Sequence, residues 1–222
     1  MEIHILDMIQ NLRTPIGDVV VPLITRLGDA GIIWIILTVL LLIIPKTRKT
    51  GVIMMAALLV DVLLCNVLIK NLVARTRPFD VNTAVQLLVA KPQDYSFPSG
   101  HTAASFASVT ALYLAGEKKM WKAALVLAVL IALSRLYLYV HYPTDIIGGV
   151  VFGSLSGYLG YKIVEWIQKK KDKIEIEKRA GQAALCCLPC SFTDYQCDNR
   201  RSQRQKVTGF HSCGIRVVSV PE

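Results

Sequence analysis

Residues 134–145, with the sequence SRLYLYVHYPTD, join two long apolar runs and carry a histidine and an aspartate at the junction. His141 and Asp145 are four residues apart around Pro143, and proline favours the first position of a helix. Asp145 then falls in the first helical turn, where the helix dipole helps to keep its carboxylate ionised. An ionised Asp145 can hold one imidazole nitrogen of His141 and leave the other free for attack. The stretch therefore predicts a reactive histidine between two helices.

The apolar runs on either side belong to a set of five that predicts an all-α, polytopic transmembrane helix bundle. They lie at residues 29–44, 51–70, 101–116, 121–140 and 143–167 in a chain that is 53% hydrophobic. Three of them approach the roughly 20 residues that cross a hydrocarbon core, while the first and third have only about 16. Buried core helices of a soluble protein are the alternative, but the chain has little amphipathic helix that could cover five such segments.

The segments on either side of this transmembrane domain, which we place at residues 29–173, have a different character. In residues 1–28 apolar positions recur at helical spacing, with Thr14 as the expected N-cap and Pro15 at the first helical position. We expect these N-terminal amphipathic helices to lie on the membrane or to form a partial span. Residues 174–222 lack sustained periodicity and contain five of the six cysteines, so we expect a basic, disordered tail.

The net charge of +9 indicates contact with a membrane surface rather than with nucleic acid. The basic residues gather in the tail and in short links between apolar runs, where anionic headgroups and the positive-inside rule explain them. Three such links should lie on one side of the bundle: residues 46–49, 118–122 and 169–173. That side is predicted to be cytoplasmic, so the His141 junction should face the extracytoplasmic side of the plasma membrane.

Residues 70–78, KNLVARTRP, predict an anion-binding helix end. Lys70 and Arg77 are seven residues apart, about two helical turns, so both side chains can project from one helix face towards the same phosphate. Pro78 stops the helix and turns the chain away. Snorkelling to the interface is the commoner explanation for either cation alone. Arg75 lies off this face, and we expect it to contact lipid headgroups.

Residues 98–101, PSGH, precede another apolar run and predict a phosphate cradle. Ser99 is the expected N-cap, Gly100 lets the backbone approach a ligand closely, and the start of a helix favours an anion. His101 in the first turn can protonate a departing oxygen. Arg135, in the outer part of an apolar run, needs an anionic partner or an aqueous cavity, and a bound phosphate would supply that partner.

Together the three stretches resemble the signature of the type 2 phosphatidic acid phosphatase superfamily. In that signature a lysine is followed after six residues by Arg-Pro, then comes Pro-Ser-Gly-His, and then Ser-Arg, five residues, His, three residues and Asp. The resemblance implies a reaction without metal or cofactor, in which His141 attacks phosphorus to form a phosphohistidine, His101 protonates the leaving group, and water hydrolyses the intermediate. It also implies that five residues bind the phosphate: Lys70, Arg77, Ser99, Gly100 and Arg135.

The expected substrate is a lipid phosphate or diphosphate, because the site lies at the mouth of a helix bundle. Similarity to short bacterial members favours undecaprenyl diphosphate, with phosphatidic acid and phosphatidylglycerol phosphate as alternatives. A vanadium-dependent haloperoxidase has a similar constellation, but five apolar runs disfavour such a soluble protein. A non-catalytic membrane protein that binds or transports lipids is the alternative of another class, and a phosphatase assay separates the two.

Overall fold

The computed structural model describes residues 2–187, which contain no strand. They are helical apart from turns and one long connection, residues 82–99. The helices are α1 (Glu2–Asn11), α2 (Pro15–Leu27), α3 (Ile32–Ile43), α4 (Arg48–Asp61), α5 (Lys70–Val73), α6 (Pro78–Val81), α7 (Gly100–Leu114), α8 (Met120–Tyr137) and α9 (Pro143–Cys187). A 3₁₀ turn, Asp29–Gly31, joins α2 to α3, and a π-helical stretch, Val62–Ile69, joins α4 to α5. The all-α prediction is confirmed for this part of the chain.

The predicted number of five spans is not confirmed. Three helical stretches are long and apolar enough to cross a bilayer: Arg48–Val81, Met120–Tyr137 and Pro143–Ala180. Two more segments, Pro15–Leu27 and Asp29–Ile43, bend by 41° at their junction and qualify together as one broken span, which gives up to four. The expected third span corresponds to α7, which is only 15 residues long.

Helix α7 lies in the middle of the bundle, and this position explains its short and weakly apolar sequence. Eight of its 15 residues are buried, most of them small: Thr102, Ala103, Ser105, Ala107, Ser108, Val109, Ala111 and Leu112. It packs against α4 and α8, and Nε1 of Trp34 in α3 donates a hydrogen bond to Oγ of Ser105 over 3.0 Å. Because protein surrounds α7, this helix does not need the uniformly apolar surface of a lipid-facing span.

A stripe of glycines lets α9 approach α7 closely. A Cβ atom at Gly153 would lie 2.2 Å from the carbonyl oxygen of Ala103, and one at Gly157 would lie 2.7 Å from that of Ala107. Small residues four apart are typical of close helix packing in membranes. This contact fixes the start of α9 against the start of α7, where several of the predicted site residues lie.

The N-terminal segment has the predicted cap and then breaks sharply. Thr14 accepts a hydrogen bond from the N–H of Gly17 over 3.1 Å, with proline at the first helical position, so the predicted N-cap of α2 is confirmed. Before α3 the chain changes direction where Ala30 and Gly31 have φ values of +50° and +69°. A Cβ atom at Gly28 would lie 2.8 Å from Cδ2 of His101, so the end of α2 packs directly against the beginning of α7.

Four helix ends meet at one end of the bundle: the end of α5, the start of α7, the end of α8 and the start of α9. Two of the predicted lysine-rich links, residues 46–49 and 118–122, lie at the opposite ends of these helices, at the starts of α4 and α8. The third, residues 169–173, is not a link, because it lies inside α9. The polar residues that the sequence analysis identified therefore lie together at this end, which we call the mouth of the bundle. The two basic links lie at the other end.

The predicted tail begins inside a helix. α9 continues to Cys187, so residues 174–187 are helical, and the remainder of the predicted tail lies outside the described residues. The site described below belongs to the compact unit that ends at Lys171.

Candidate active site

The three sequence clusters converge on one cavity of about 630 Å³. Six of the eight predicted site residues line it: Lys70, Arg77, Gly100, His101, Arg135 and His141. The other two, Ser99 and Asp145, are fully buried beside it. The rest of the wall comes from residues 87–92 and Asp94 of the long connection, from the end of α2 and from Asp29 in the turn after it. Three segments far apart in sequence thus form one polar chamber.

His141 lies between α8 and α9, and its two imidazole nitrogens face different partners. Its Nδ1 is 3.4 Å from Oδ2 of Asp145, and its Nε2 is 3.3 Å from Nη1 of Arg77. Because a guanidinium only donates hydrogen bonds, Nε2 is the unprotonated nitrogen and Nδ1 carries the proton. The separation of 3.4 Å is longer than an ordinary hydrogen bond, as is common in catalytic pairs before the substrate binds.

The surroundings keep His141 neutral. Burial lowers the pKa of His141 below its ordinary value, Asp145 opposes this effect, and the positive charges of Arg135 and Arg77 lower the pKa further. An imidazole that is neutral at physiological pH has a lone pair on Nε2. His141 therefore presents a nucleophilic nitrogen to the cavity.

Asp145 is held by three groups besides His141. Oγ of Ser96 and the N–H of Tyr142 donate to its Oδ2 over 2.5 and 2.9 Å, and Nη1 of Arg75 donates to its Oδ1 over 2.8 Å. The sequence predicted the pairing of Asp145 with His141 but did not identify Ser96. The expectation that Arg75 contacts lipid headgroups is wrong, since this side chain turns inward to Asp145.

Lys70 and Arg77 reach the cavity from two segments, and the prediction that they share one helix face is wrong. Helix α5 ends at Val73, and Ala74 takes a left-handed conformation with φ +46°. Arg77 is the extended residue immediately before α6, and its Nη1 donates to the carbonyl oxygen of Val140 over 2.8 Å. Both cations are nevertheless buried at the same cavity.

Asp94, in the long connection, occupies the position between these two cations. Its carboxylate forms ion pairs with Lys70 and, over 2.6 Å, with Nη2 of Arg77. Burial alone would raise the pKa of Asp94, but the hydrogen bonds and charges of Lys70 and Arg77 outweigh burial and lower it to about 2. An ionised Asp94 therefore pairs with both cations and compensates one of their two positive charges. The only sequence signal for this residue is that it lies four positions before Pro98.

His101 also has a carboxylate partner, which the sequence analysis did not find. Its Nε2 is 2.9 Å from Oδ1 of Asp29, in the turn between α2 and α3. The two residues are 72 positions apart, and Asp29 had been assigned only to the start of the first apolar run. Asp29 favours the protonated imidazole, but burial and the positive charge of Arg135 outweigh it and lower the pKa of His101 to about 4. His101 is therefore neutral at physiological pH unless the negative charge of a bound phosphate raises its pKa.

The start of α7 forms only part of the predicted phosphate cradle. Ser99 is the N-cap residue of α7, as predicted, but its side chain makes no capping hydrogen bond. Its Oγ accepts from Oγ1 of Thr102 over 3.0 Å, and its N–H donates to the carbonyl oxygen of Asp145 over 3.1 Å. A Cβ atom at Gly100 would lie 3.5 Å from Nζ of Lys70, so the glycine keeps the helix start open to a ligand.

Arg135 is buried at the cavity with part of its guanidinium group uncommitted. Its Nη1 donates to Oγ1 of Thr25 over 2.6 Å. Its Nε has no hydrogen-bond partner within the described part of the protein. Because a buried guanidinium N–H without an acceptor is costly, this group is suited to receive an anionic oxygen.

Comparisons with known proteins agree with this geometry. The family model of the PAP2 superfamily matches residues 50–169. An undecaprenyl-diphosphatase of Sulfolobus acidocaldarius is 38% identical over 131 residues, and the match spans 59% of this chain but only 63% of that relative's length. Phosphatidylglycerophosphatase B of Bacillus subtilis is 32% identical over 174 residues, or 73% of this chain and 82% of the relative. The crystal structure of Aquifex aeolicus LpxE is similar with a TM-score of 0.62 at 30% identity, over 72% of this chain and 94% of that chain.

Proposed function

Because the chain belongs to the PAP2 superfamily, we propose that it is an integral membrane phosphatase that hydrolyses a lipid phosphate or diphosphate. The observation that carries this proposal is the convergence of both predicted histidines and all three predicted cations on one cavity at the mouth of the bundle. Each histidine has a carboxylate partner, which suits one for attack and the other for proton transfer.

In the proposed first step, Nε2 of His141 attacks phosphorus. A P–N bond forms while the P–O bond to the leaving group breaks. His101 donates its proton to the departing oxygen. Asp145 accepts the hydrogen bond from Nδ1 and stabilises the positive charge that develops on the imidazole of His141.

In the proposed second step, water attacks the phosphohistidine. His101, now neutral, takes the proton from the water, and His141 departs with its bonding electron pair. Negative charge on the transferring phosphoryl group is balanced by three side chains and by the backbone N–H groups at the start of α7. The side chains are Lys70, Arg77 and Arg135. Since these groups supply the positive charge, the proposed reaction uses no metal ion.

We propose undecaprenyl diphosphate as the substrate and undecaprenyl phosphate as the lipid product. The 38% identity with a protein named undecaprenyl-diphosphatase supports this choice. Phosphatidylglycerol phosphate is the second candidate, because the match to phosphatidylglycerophosphatase B extends over a larger share of both chains. Phosphatidic acid is the third. The proposed site faces the extracytoplasmic side of the plasma membrane, opposite the lysine-rich links.

Phosphate release from these three lipids by the purified, detergent-solubilised protein tests the proposal. We expect activity that persists in EDTA and is inhibited by vanadate, which imitates the pentacoordinate phosphoryl group. His141→Ala should abolish both turnover and phosphoenzyme, whereas His101→Ala should have less effect on a substrate whose leaving group needs no proton. Loss of activity in EDTA that Mg²⁺ restores would contradict the mechanism. Lipid binding without any phosphate release would favour a binding or transport protein.

A further inference from the structure

A chain of polar contacts leads from the N-terminal helix α1 to the histidine of the cavity. Glu2 of α1 contacts Arg75, Arg75 contacts Asp145, and Asp145 faces His141. We propose that Glu2 and Arg75 are positioning residues that hold Asp145, and through it His141, in the orientation needed for attack. This inference rests on the proposed role of His141 as the nucleophile.

The guanidinium group of Arg75 lies between two carboxylates. Its Nη1 is 2.8 Å from Oδ1 of Asp145, and its Nη2 is 2.5 Å from Oε2 of Glu2. The ring of Tyr142 lies against the flat face of the guanidinium, 3.9 Å from Cζ to the ring centroid. A planar guanidinium donates hydrogen bonds in fixed directions, so two carboxylates and one ring restrict Arg75 to a single orientation.

Glu2 also binds the beginning of α9. Its Oε1 accepts hydrogen bonds from Oγ1 of Thr144 over 2.6 Å and from the N–H of Thr144 over 3.2 Å. A carboxylate is favourable at the free N–H groups of a helix start. Glu2 therefore fixes both Arg75 and the residue that precedes Asp145, although 142 positions separate it from Thr144.

The two carboxylate oxygens of Asp145 have different partners. Oδ1 faces Arg75, whereas Oδ2 accepts hydrogen bonds from Ser96 and from the N–H of Tyr142 and lies 3.4 Å from His141. Within the part of the chain whose side chains are described, Arg75 is the only lysine or arginine in an ion pair with Asp145. A fully buried carboxylate that loses its cationic partner is strongly disfavoured in the ionised form.

A positioning role for Arg75 and simple stabilisation of the fold predict different pH dependences of turnover when Arg75 is removed. If Arg75 only stabilised the bundle, its removal would lower the melting temperature and leave the pH dependence of turnover unchanged. If Arg75 keeps Asp145 ionised beneath His141, its removal will instead impair turnover first at acidic pH, because protons then compete more readily for the carboxylate and for the imidazole.

The test compares four variants of the full chain in detergent: Arg75→Ala, Arg75→Lys, Glu2→Gln and the double variant Glu2→Gln/Arg75→Ala. We expect Arg75→Ala to lower kcat about 10- to 100-fold with little change in KM, as for other residues that orient a functional histidine. The acidic limb of its pH profile should move to higher pH by about one unit. Arg75→Lys keeps the charge and should restore most of the pH profile, although a single ammonium cannot reproduce the hydrogen-bond geometry to both Glu2 and Asp145.

Glu2→Gln should lower kcat about two- to fivefold, because the Glu2–Arg75 pair is partly exposed. Since Glu2 is proposed to act through Arg75, the double variant should be no slower than Arg75→Ala alone. Gln10→Ala is the matched control on α1. It removes the hydrogen bond from Gln10 to the carbonyl oxygen of Tyr137 and should leave both kcat and the pH profile unchanged.

His141→Ala, measured alongside, distinguishes a failure of the proposed mechanism from a failure of the positioning role alone. If His141→Ala keeps activity, the proposed mechanism falls and the positioning role falls with it. If His141→Ala is inactive but folded Arg75→Ala retains the wild-type kcat and pH profile, only the positioning role is overturned. A lower kcat with an unmoved acidic limb, or an Arg75→Lys variant no better than Arg75→Ala, would also overturn it. Additive losses in the double variant would remove Glu2 from the proposal.

Discussion

At the residue scale, the polar side chains of the cavity are paired with acids that come from elsewhere in the chain. Asp94 forms ion pairs with Lys70 and Arg77, and Asp29 faces His101. The pairing with Asp94 has a direct consequence for substrate binding, because a phosphate must take the place of its carboxylate between the two cations. With a pKa of about 2, Asp94 stays ionised and in competition with phosphate at any ordinary assay pH.

Asp94→Asn should therefore strengthen the binding of phosphate analogues. Loss of one partly exposed carboxylate frees two cations, and we expect the inhibition constant of vanadate to fall about three- to tenfold. Asp80→Asn is the control, since it removes the same charge from an exposed residue near the site. Vanadate inhibition that is unchanged or weaker in Asp94→Asn would show that Asp94 orients the cations rather than competes for them.

The same pair gives a pH dependence of stability with a defined sign. The pKa of Asp94 is lower in the folded protein than its ordinary value of 3.8, so its contribution to the free energy of unfolding is present above about pH 4. That contribution should disappear as the pH falls from about 4 towards 2. Melting temperatures of the wild type and of Asp94→Asn should accordingly converge across this interval, whereas a constant difference between them would contradict the assignment.

At the scale of elements, the close contact between α7 and α9 sets the geometry of the site. The start of α7 carries His101 and the start of α9 carries Asp145, and the glycines of α9 let the two helices approach each other. The backbone of α7 cannot retreat easily, because α4 and α8 pack on its other sides.

Gly153→Ala should destabilise the bundle and reduce turnover together. The added Cβ would lie 2.2 Å from the carbonyl oxygen of Ala103, and such overpacking typically costs about 1–3 kcal/mol or more. Thermal unfolding in detergent and phosphate release measure the two effects. Leu155→Ala, at a half-exposed position two residues further along α9, is the control and should change both far less. A Gly153→Ala protein with the wild-type melting temperature would contradict the close contact.

At the scale of the whole molecule, the site and the lysine-rich links lie at opposite ends of the helices. The positive-inside rule then predicts an extracytoplasmic site. Basic residues of the site itself, such as Lys70 and Arg77, work against this rule, but the proposed chemistry requires them. Chemical labelling of exposed positions at the two ends of the helices measures directly which side of the membrane the site faces.

Single cysteines at Lys46 and Gln86, in a background without the native cysteines, test the orientation. Both positions are exposed, Lys46 between α3 and α4 and Gln86 in the long connection beside the cavity. A membrane-impermeant thiol reagent applied to intact cells should label the cysteine at position 86 and spare the one at position 46. The reverse pattern would place the site in the cytoplasm.

Truncation after Lys173 should leave phosphate release nearly intact. The lining of the cavity and its supporting residues lie between Glu2 and Gly157, and the side chains of residues 172–180 are exposed. Activity and melting temperature of the truncated and full chains in the same detergent provide the comparison. A large loss of either in the truncated chain would show that the C-terminal segment supports the bundle.

The amino-acid sequence alone predicts the helical class, the starts of α7 and α9, and most of the predicted site residues that line the cavity. These properties depend on local causes: runs of apolar residues, Thr14 as an N-cap, proline at the start of α9, and short motifs at fixed spacing. Local causes did not suffice at residues 70–77, where a helix was expected to continue. The chain leaves the helix after Val73, and tertiary contacts with Val140 and Asp94 hold Arg77 in place instead.

Tertiary packing, and not the local sequence, sets which charged residues accompany the site and how many helices are long enough to span the membrane. Asp29 and Arg75 lie 72 and 70 positions from their partners His101 and Asp145, and a pairing across such a distance leaves no periodic signal in the sequence. The length of α7 is likewise explained by packing, since a helix surrounded by protein needs neither the length nor the uniform apolarity of one that faces lipid.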